Sequence, residues 1–381
     1  MKKSKPNKNS ISIRAESIDY SAIRKAFSAG RDKNVINLTI GQPDFDVPQP
    51  VKEVAKQHID LGHNKYTETR GVLELRQEIS VYLAREKDVK RSAEEIIVTP
   101  GTTAGIFLTM LAMINPGDEV IVFMPYFVAY TEIIKLVGGK IIPVRAGKNF
   151  QPDVTALKKA ISAKTKLIIV NSPNNPTGAV YSENKLTEIV SVAKKHSVYL
   201  MSDEVYSQFI YDSNFFSPAK IYEKAIVVDG LSKTSGMTGW RIGFVAGPTE
   251  IIDAVEKIQQ FTAVCAPSAF QYAAIEALQE GLSQEIVLRY RRMCDRIYEG
   301  IKDYYKTIKP SGAFYFFIKT PELAEKFTGR LLKAGLAVVP GTAFGKFKNY
   351  IRISYAISEE KINSAIKILR DVAIAVNDKG K

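Results

Sequence analysis

Between residues 71 and 87 the apolar positions Leu75, Ile79 and Leu83 recur every four residues, which predicts an amphipathic helix with one buried stripe. Beyond it the pattern alternates. Short apolar runs at 95–100, 115–125, 140–144, 166–173, 197–204, 225–232 and 242–247 read as strands. Helix-length segments separate most of them, at 101–114, 126–139, 153–161 and 183–196. Several strands, such as LIIV and AIVV, are apolar on both faces. That pattern belongs to a mostly parallel sheet covered by helices, hence an α/β fold.

The flanks read differently. Residues 16–29 predict one short helix, and 35–48 a short strand running into a loop shaped by Pro and Gly. Residues 51–62 have helical spacing with a glycine stop. From 249 the helices lengthen, and 312–318, 335–340 and 350–356 read as strands of a smaller α+β unit closed by a helix at 358–376. The expected organisation is a disordered basic tail at 1–11, a segment at 12–45 packing with the small unit, a large domain at 46–285, and a small C-terminal domain at 286–381.

A chain of 381 residues exceeds what one core usually serves, in keeping with two domains. Two cysteines make no disulfide framework, and three scattered histidines give no metal-ligand spacing, so no metal is expected. The net charge of +13 reads as a lysine-rich surface, because no nucleic-acid-binding signature accompanies it. No run reaches the length of a membrane span, and the start lacks the apolar core of a signal peptide. The expectation is a cytoplasmic protein that binds neither nucleic acid nor membrane.

In a parallel sheet, ligands sit beyond the carboxyl ends of the strands. There the sequence delivers PGTT, PYF, NSPNNPTG, SDEVY and GLSK, every one polar, small or aromatic. Gly101, Thr102 and Thr103 open a helix whose free N–H groups suit a phosphate. Tyr126 and Phe127 offer rings for stacking. Asn175 sits in a rigid turn, and Asp203 closes an apolar strand where a carboxylate needs a cationic or hydrogen-bonding partner. Lys233, among small residues, is a candidate amine for an imine bond.

SDEVY, NSPNNPTG and SKTSGMTGWRIG, in this order, resemble the class I/II aminotransferases, pyridoxal-phosphate enzymes of fold-type I, and most closely the bacterial and archaeal aspartate and aromatic branch. The resemblance runs from IGQPDFDVP to IRISYA. It implies that the cofactor is pyridoxal 5′-phosphate, bound to Lys233 as an aldimine, with Lys233, Asp203 and Tyr206 as the catalytic residues. Asp203 pairs with the ring nitrogen, Asn175 and Tyr206 bond the phenolic oxygen, and Phe127 stacks on the ring. Gly101, Thr102, Thr103, Ser232 and Arg241 hold the phosphate, joined by Tyr66 from the neighbouring subunit of a homodimer. Gly41, Asn175 and Arg352 hold the substrate α-carboxylate.

The implied activity moves the amino group of an aspartate, aromatic or similar amino acid to a 2-oxo acid, 2-oxoglutarate first, with ping-pong kinetics. The alternatives are a pyridoxal-phosphate-dependent C–S β-lyase, whose relatives usually carry histidine at the place of Tyr206, and a non-enzymatic binding or regulatory protein. Two departures stand out. Gly230 lies where some relatives have a phosphate-binding serine, and Thr103 where some have lysine. For an acidic substrate the candidate second cations are Arg70, Lys65 and Arg14. For an apolar one the candidate walls are Phe45, Tyr66 and the loop near Phe261.

Overall fold

The computed structural model describes residues 11–377, so most of the expected tail lies outside the described residues. The strands are β1 (Ile36–Asn37), β2 (Ile96–Thr99), β3 (Glu119–Met124), β4 (Lys140–Arg145), β5 (Thr165–Asn171), β6 (Tyr199–Asp203), β7 (Ala225–Gly230), β8 (Gly243–Ala246), β9 (Tyr315–Lys319), β10 (Leu336–Ala337), β11 (Val339–Pro340) and β12 (Tyr350–Ser354). Seven of them form the central sheet in the order β2-β8-β7-β6-β5-β3-β4. All neighbours are parallel except β8, which runs antiparallel to β2 and β7.

Both faces of this sheet are covered, as the two-sided apolar strands require. Ile96, Val98, Val227 and Phe244 face a core shared with the helices Leu73–Lys87 and Ser268–Glu280. Ile97, Val228 and Val245 alternate to the opposite face, against the helices Thr102–Met113 and Thr249–Thr262. A fully buried Val or Ile contributes about 1.5–3 kcal/mol relative to exposure. Moving these strands by one residue would exchange the two faces. The edge strand β4 is less buried and accommodates Pro143, since an edge has spare hydrogen-bonding positions.

The smaller sheet is antiparallel, in the order β11-β12-β9, and β1 pairs in parallel with β10. Three local expectations change. The helix expected over 16–29 is two helices, Ile13–Ser17 and Ala22–Ala29, because Ser12 and Ser21 each cap a separate start. The single strand expected over 335–340 is β10 and β11, which pair with different partners on either side of Val338. A helix at Ala324–Lys333 was not among the expected elements; it buries Ala324, Phe327 and Leu331. Among the described residues no helix is long and apolar enough to cross a membrane.

Candidate active site

The parallel strands end side by side. Asn171 at the end of β5 pairs in register with Asp203 at the end of β6, and Asp203 with Val228 of β7. A cavity of about 880 Å³ opens beyond these ends. Its lining includes Gly41, Thr102, Thr103, Phe127, Asn175, Asp203, Tyr206, Ser232, Lys233, Arg241 and Arg352, brought together from along the chain.

One end of the cavity is built for an anion. Gly101 caps the helix Thr102–Met113, whose first N–H groups have no helical acceptor. The Thr102 hydroxyl is buried with no hydrogen-bond partner among the described residues. Arg241, at φ 60°, is held by the carbonyls of Thr238 (2.9 Å) and Pro100 (3.3 Å), with its guanidinium against Gly101. An orphaned hydroxyl, a helix start and a guanidinium fit a phosphate. The serine missing at position 230 has a steric reason. A Cβ there would lie 2.7 Å from Gly243 Cα and 2.9 Å from Thr102 Oγ1.

Lys233 follows β7 in the short helix Leu231–Thr234. Its half-buried amine donates to the Gly41 carbonyl at 2.6 Å. Burial, with Arg352 and Arg241 nearby, brings its ammonium down to about 8. A Cβ at 41 would overlap the Tyr315 hydroxyl and force that side chain to move. Asp203 is 3 % exposed and accepts a hydrogen bond from the Tyr130 hydroxyl. Burial pushes its carboxyl up to about 6, although the Tyr130 and Val205 hydrogen bonds pull it down. A buried carboxylate raised in this way fits a cationic ring nitrogen.

Tyr206 and Tyr315 share a hydrogen bond of 2.7 Å between their hydroxyls. Burial, with Tyr315 beside it, holds the Tyr206 phenol well above its usual range, so it stays neutral. Arg352 is 1 % exposed on β12. Its Nη1 donates to Asn175 Oδ1 at 3.1 Å and its Nη2 to the Thr39 carbonyl. The guanidinium lies 4.8 Å from the Tyr315 ring and 5.0 Å from that of Phe344. Its Nε has no partner among the described residues, a free donor for a carboxylate.

The remaining candidates lie elsewhere. Tyr66 is 82 % exposed and, with Lys65, lines a separate cavity of about 430 Å³. Arg70 is not a free cation, since it pairs with Asp253 at 2.6 Å and Glu256 at 2.7 Å. Arg14 is exposed on the first helix. Phe45 packs edge-on against Tyr290, and Phe261 is exposed. Tyr130, Tyr315, Thr39 and Arg24 stand in no distinctive motif and were not among the expected site residues. Arg24 reaches the main cavity from the helix Ala22–Ala29.

A sequence profile of the family described as aminotransferase class I and II matches residues 33–369. The chain is 38% identical over 376 residues to a probable aspartate aminotransferase of Methanocaldococcus jannaschii, covering 95% of this chain and 99% of the relative. It is 40% identical over 383 residues to an aspartate aminotransferase of Pyrococcus abyssi, covering 95% and 98%. The solved structure of the Thermus thermophilus aspartate aminotransferase with maleate superposes with a TM-score of 0.92 at 37% identity, covering 96% of this chain and 100% of that one. The chain therefore belongs to the class I and II aminotransferases, pyridoxal-phosphate-dependent enzymes whose fold it shares.

Proposed function

We propose that this chain transfers the amino group of an L-amino acid, aspartate first, to 2-oxoglutarate by a ping-pong route. Lys233 is then the residue that bonds pyridoxal phosphate and afterwards carries the proton. The reading rests on one observation: a half-buried amine lowered to about 8, a buried acid and a buried arginine with a spare donor line one cavity. The names of the relatives and the cation Arg24 on the cavity wall support an acidic donor.

Pyridoxal phosphate bound there supplies an electron sink that draws charge from the substrate α-carbon. The chain's own residues do the rest. Thr102, Thr103, Ser232, the helix start and Arg241 hold the phosphate. Asp203 keeps a positive charge opposite its carboxylate, and Phe127 offers its ring face. Asn175 and Tyr206 orient the cofactor by hydrogen bonds. Arg352 would grip the α-carboxylate, and the Lys233 amine would take the proton from the substrate α-carbon.

Arg352→Lys tests the clamp. Lysine keeps the charge but loses the planar fork. The expected result is a fall of about 10²-fold in kcat/KM for every α-amino acid, the scale of losing charge-assisted hydrogen bonds. The absorbance of the bound cofactor should be unchanged. A loss confined to acidic substrates would make Arg352 a side-chain reader instead.

We further propose a cytoplasmic homodimer in which Tyr66 reaches the neighbour's phosphate. Its exposure, with Leu61, Leu73 and Phe261 also exposed, supports this reading. Mixing tagged Lys233→Ala subunits with Tyr66→Phe subunits is expected to raise activity above both parents, because one site of each heterodimer carries neither lesion. Heterodimers without a gain would remove Tyr66 from the shared site.

A further inference from the structure

Behind the sheet, away from the cavity, lies a buried ion cluster that the proposed reaction does not use. Lys87 ends the helix Leu73–Lys87, one step further along the stripe of Leu75, Ile79 and Leu83, where an apolar side chain would be expected. Its Nζ donates to Glu204 Oε2 at 2.9 Å and to Asp229 Oδ2 at 2.6 Å. The three side chains are 1 %, 0 % and 2 % exposed. Ser217 Oγ donates to Glu204 Oε1 at 2.6 Å, the Gly230 N–H to Asp229 Oδ1 at 2.6 Å, and the Tyr82 hydroxyl to Asp229 Oδ2 at 3.3 Å. The rings of Tyr82 and Phe215 lie 5.6 and 5.4 Å from the ammonium. The neighbouring Asp88 pairs outward with Lys220 at 2.8 Å.

Such a cluster is a poor source of stability, because desolvating three charges offsets their attraction. Its position says more. Glu204 directly follows Asp203, and its N–H donates to the Val228 carbonyl at 2.9 Å. Asp229 opens the stretch that leads through Gly230 to Lys233. Asp203 lines the cavity, whereas Glu204 and Asp229 meet Lys87.

We propose that Lys87 is a positioning residue of the active site: by bridging Glu204 and Asp229 behind the sheet, it locks the strand ends that present Asp203 and Lys233, and holds the charge there at one net negative. This rests on the reaction proposed above. Burial disfavours the Lys87 ammonium, yet Asp229 and Glu204 hold it above its ordinary range. The same two carboxylates add to the burial that raises Asp203. The charge of these two carboxylates is therefore felt at Asp203.

The test uses the full-length protein loaded with pyridoxal phosphate, as wild type, Lys87→Met and Glu204→Gln. Two quantities are read: kcat and KM for aspartate from about pH 6 to 9, and the pH at which the visible absorbance of the bound cofactor titrates without substrate. That titration reports the proton at the Lys233 nitrogen. Without Lys87, two buried carboxylates face each other and keep one proton between them until the pH is high enough to ionise both, which then adds a negative charge behind Asp203. Lys87→Met is expected to move the titration up by about one pH unit and to lower kcat about tenfold toward alkaline pH, with KM within about twofold.

Glu204→Gln removes one negative charge, keeps the shape, and is expected to move the titration down. Opposite shifts are not produced by general destabilisation, and Glu204→Gln carries the test if Lys87→Met does not fold. Titrations that match wild type, or move the same way in both variants, overturn the proposal and leave the cluster merely structural. A wild-type protein without the absorbance or the activity would instead overturn the reaction itself.

Discussion

Lys233→Ala is expected to abolish transamination, with turnover falling by at least about 10⁴-fold, since one amine serves as both nucleophile and acid–base group. The side chain leaves the short helix after β7, enters the cavity and donates to the Gly41 carbonyl at 2.6 Å. Among the described residues it is the lysine in the lining of that cavity. The anion cradle of Thr102, Thr103 and Arg241 is untouched, so the variant should still take up the cofactor noncovalently. The low amine value gives a further check. Attack on the cofactor needs the neutral amine, which forms as pH rises through about 8. Covalent loading of the apoprotein should accelerate toward that pH and level off above it. After borohydride reduction, a cofactor label on another lysine would refute the assignment.

Asp203→Asn should separate function from stability. Turnover is expected to fall at least about 10²-fold, because asparagine carries no charge to hold a cationic ring nitrogen. The apoprotein should respond in the opposite sense. A carboxyl raised from 3.8 to about 6 binds more protons folded than unfolded over that interval, so its contribution to stability falls as pH rises through it. Above about 6 the folded apoprotein holds an ion that burial disfavours. Asparagine removes that penalty and can still accept the Tyr130 hydrogen bond. At neutral pH the variant's apoprotein is expected to be more stable by about 1–3 kcal/mol, on the scale of a two-unit shift. Chemical denaturation of both apoproteins at about pH 5 and 7.5 checks the sign. An apo variant that is less stable at neutral pH would show that Asp203 has a compensating partner.

The sheet was legible because its strands are apolar on both faces, a pattern that survives in any window of four to eight residues. Lys233, Asp203, Asn175 and Arg352 were legible because their short motifs are distinctive in combination. What orients them was not. Tyr130 reaches Asp203 across 73 positions, Tyr315 reaches Tyr206 across 109, and Thr39 meets Arg352 across 313. No local period records such a pairing. Arg70 shows the converse: its motif offered an unclaimed cation, but Asp253 and Glu256 lie 183 and 186 positions away. The helix Ala324–Lys333 carried a readable stripe at Ala324, Phe327 and Leu331, interrupted by Gly329. Lys87 also had a signal, a charged residue in register with an apolar stripe, and only the fold shows the two carboxylates that place it there.

If one cavity stores an amino group between two substrates, each half of the reaction should run alone. The loaded enzyme is mixed with L-aspartate alone, then freed of small molecules and given 2-oxoglutarate alone. One equivalent of 2-oxo acid per subunit is expected in the first step, with loss of the visible absorbance. The second step should release one equivalent of L-glutamate and restore the absorbance. Continuous release of ammonia with an oxo acid from the donor alone, or no product from a panel of donors, would contradict it.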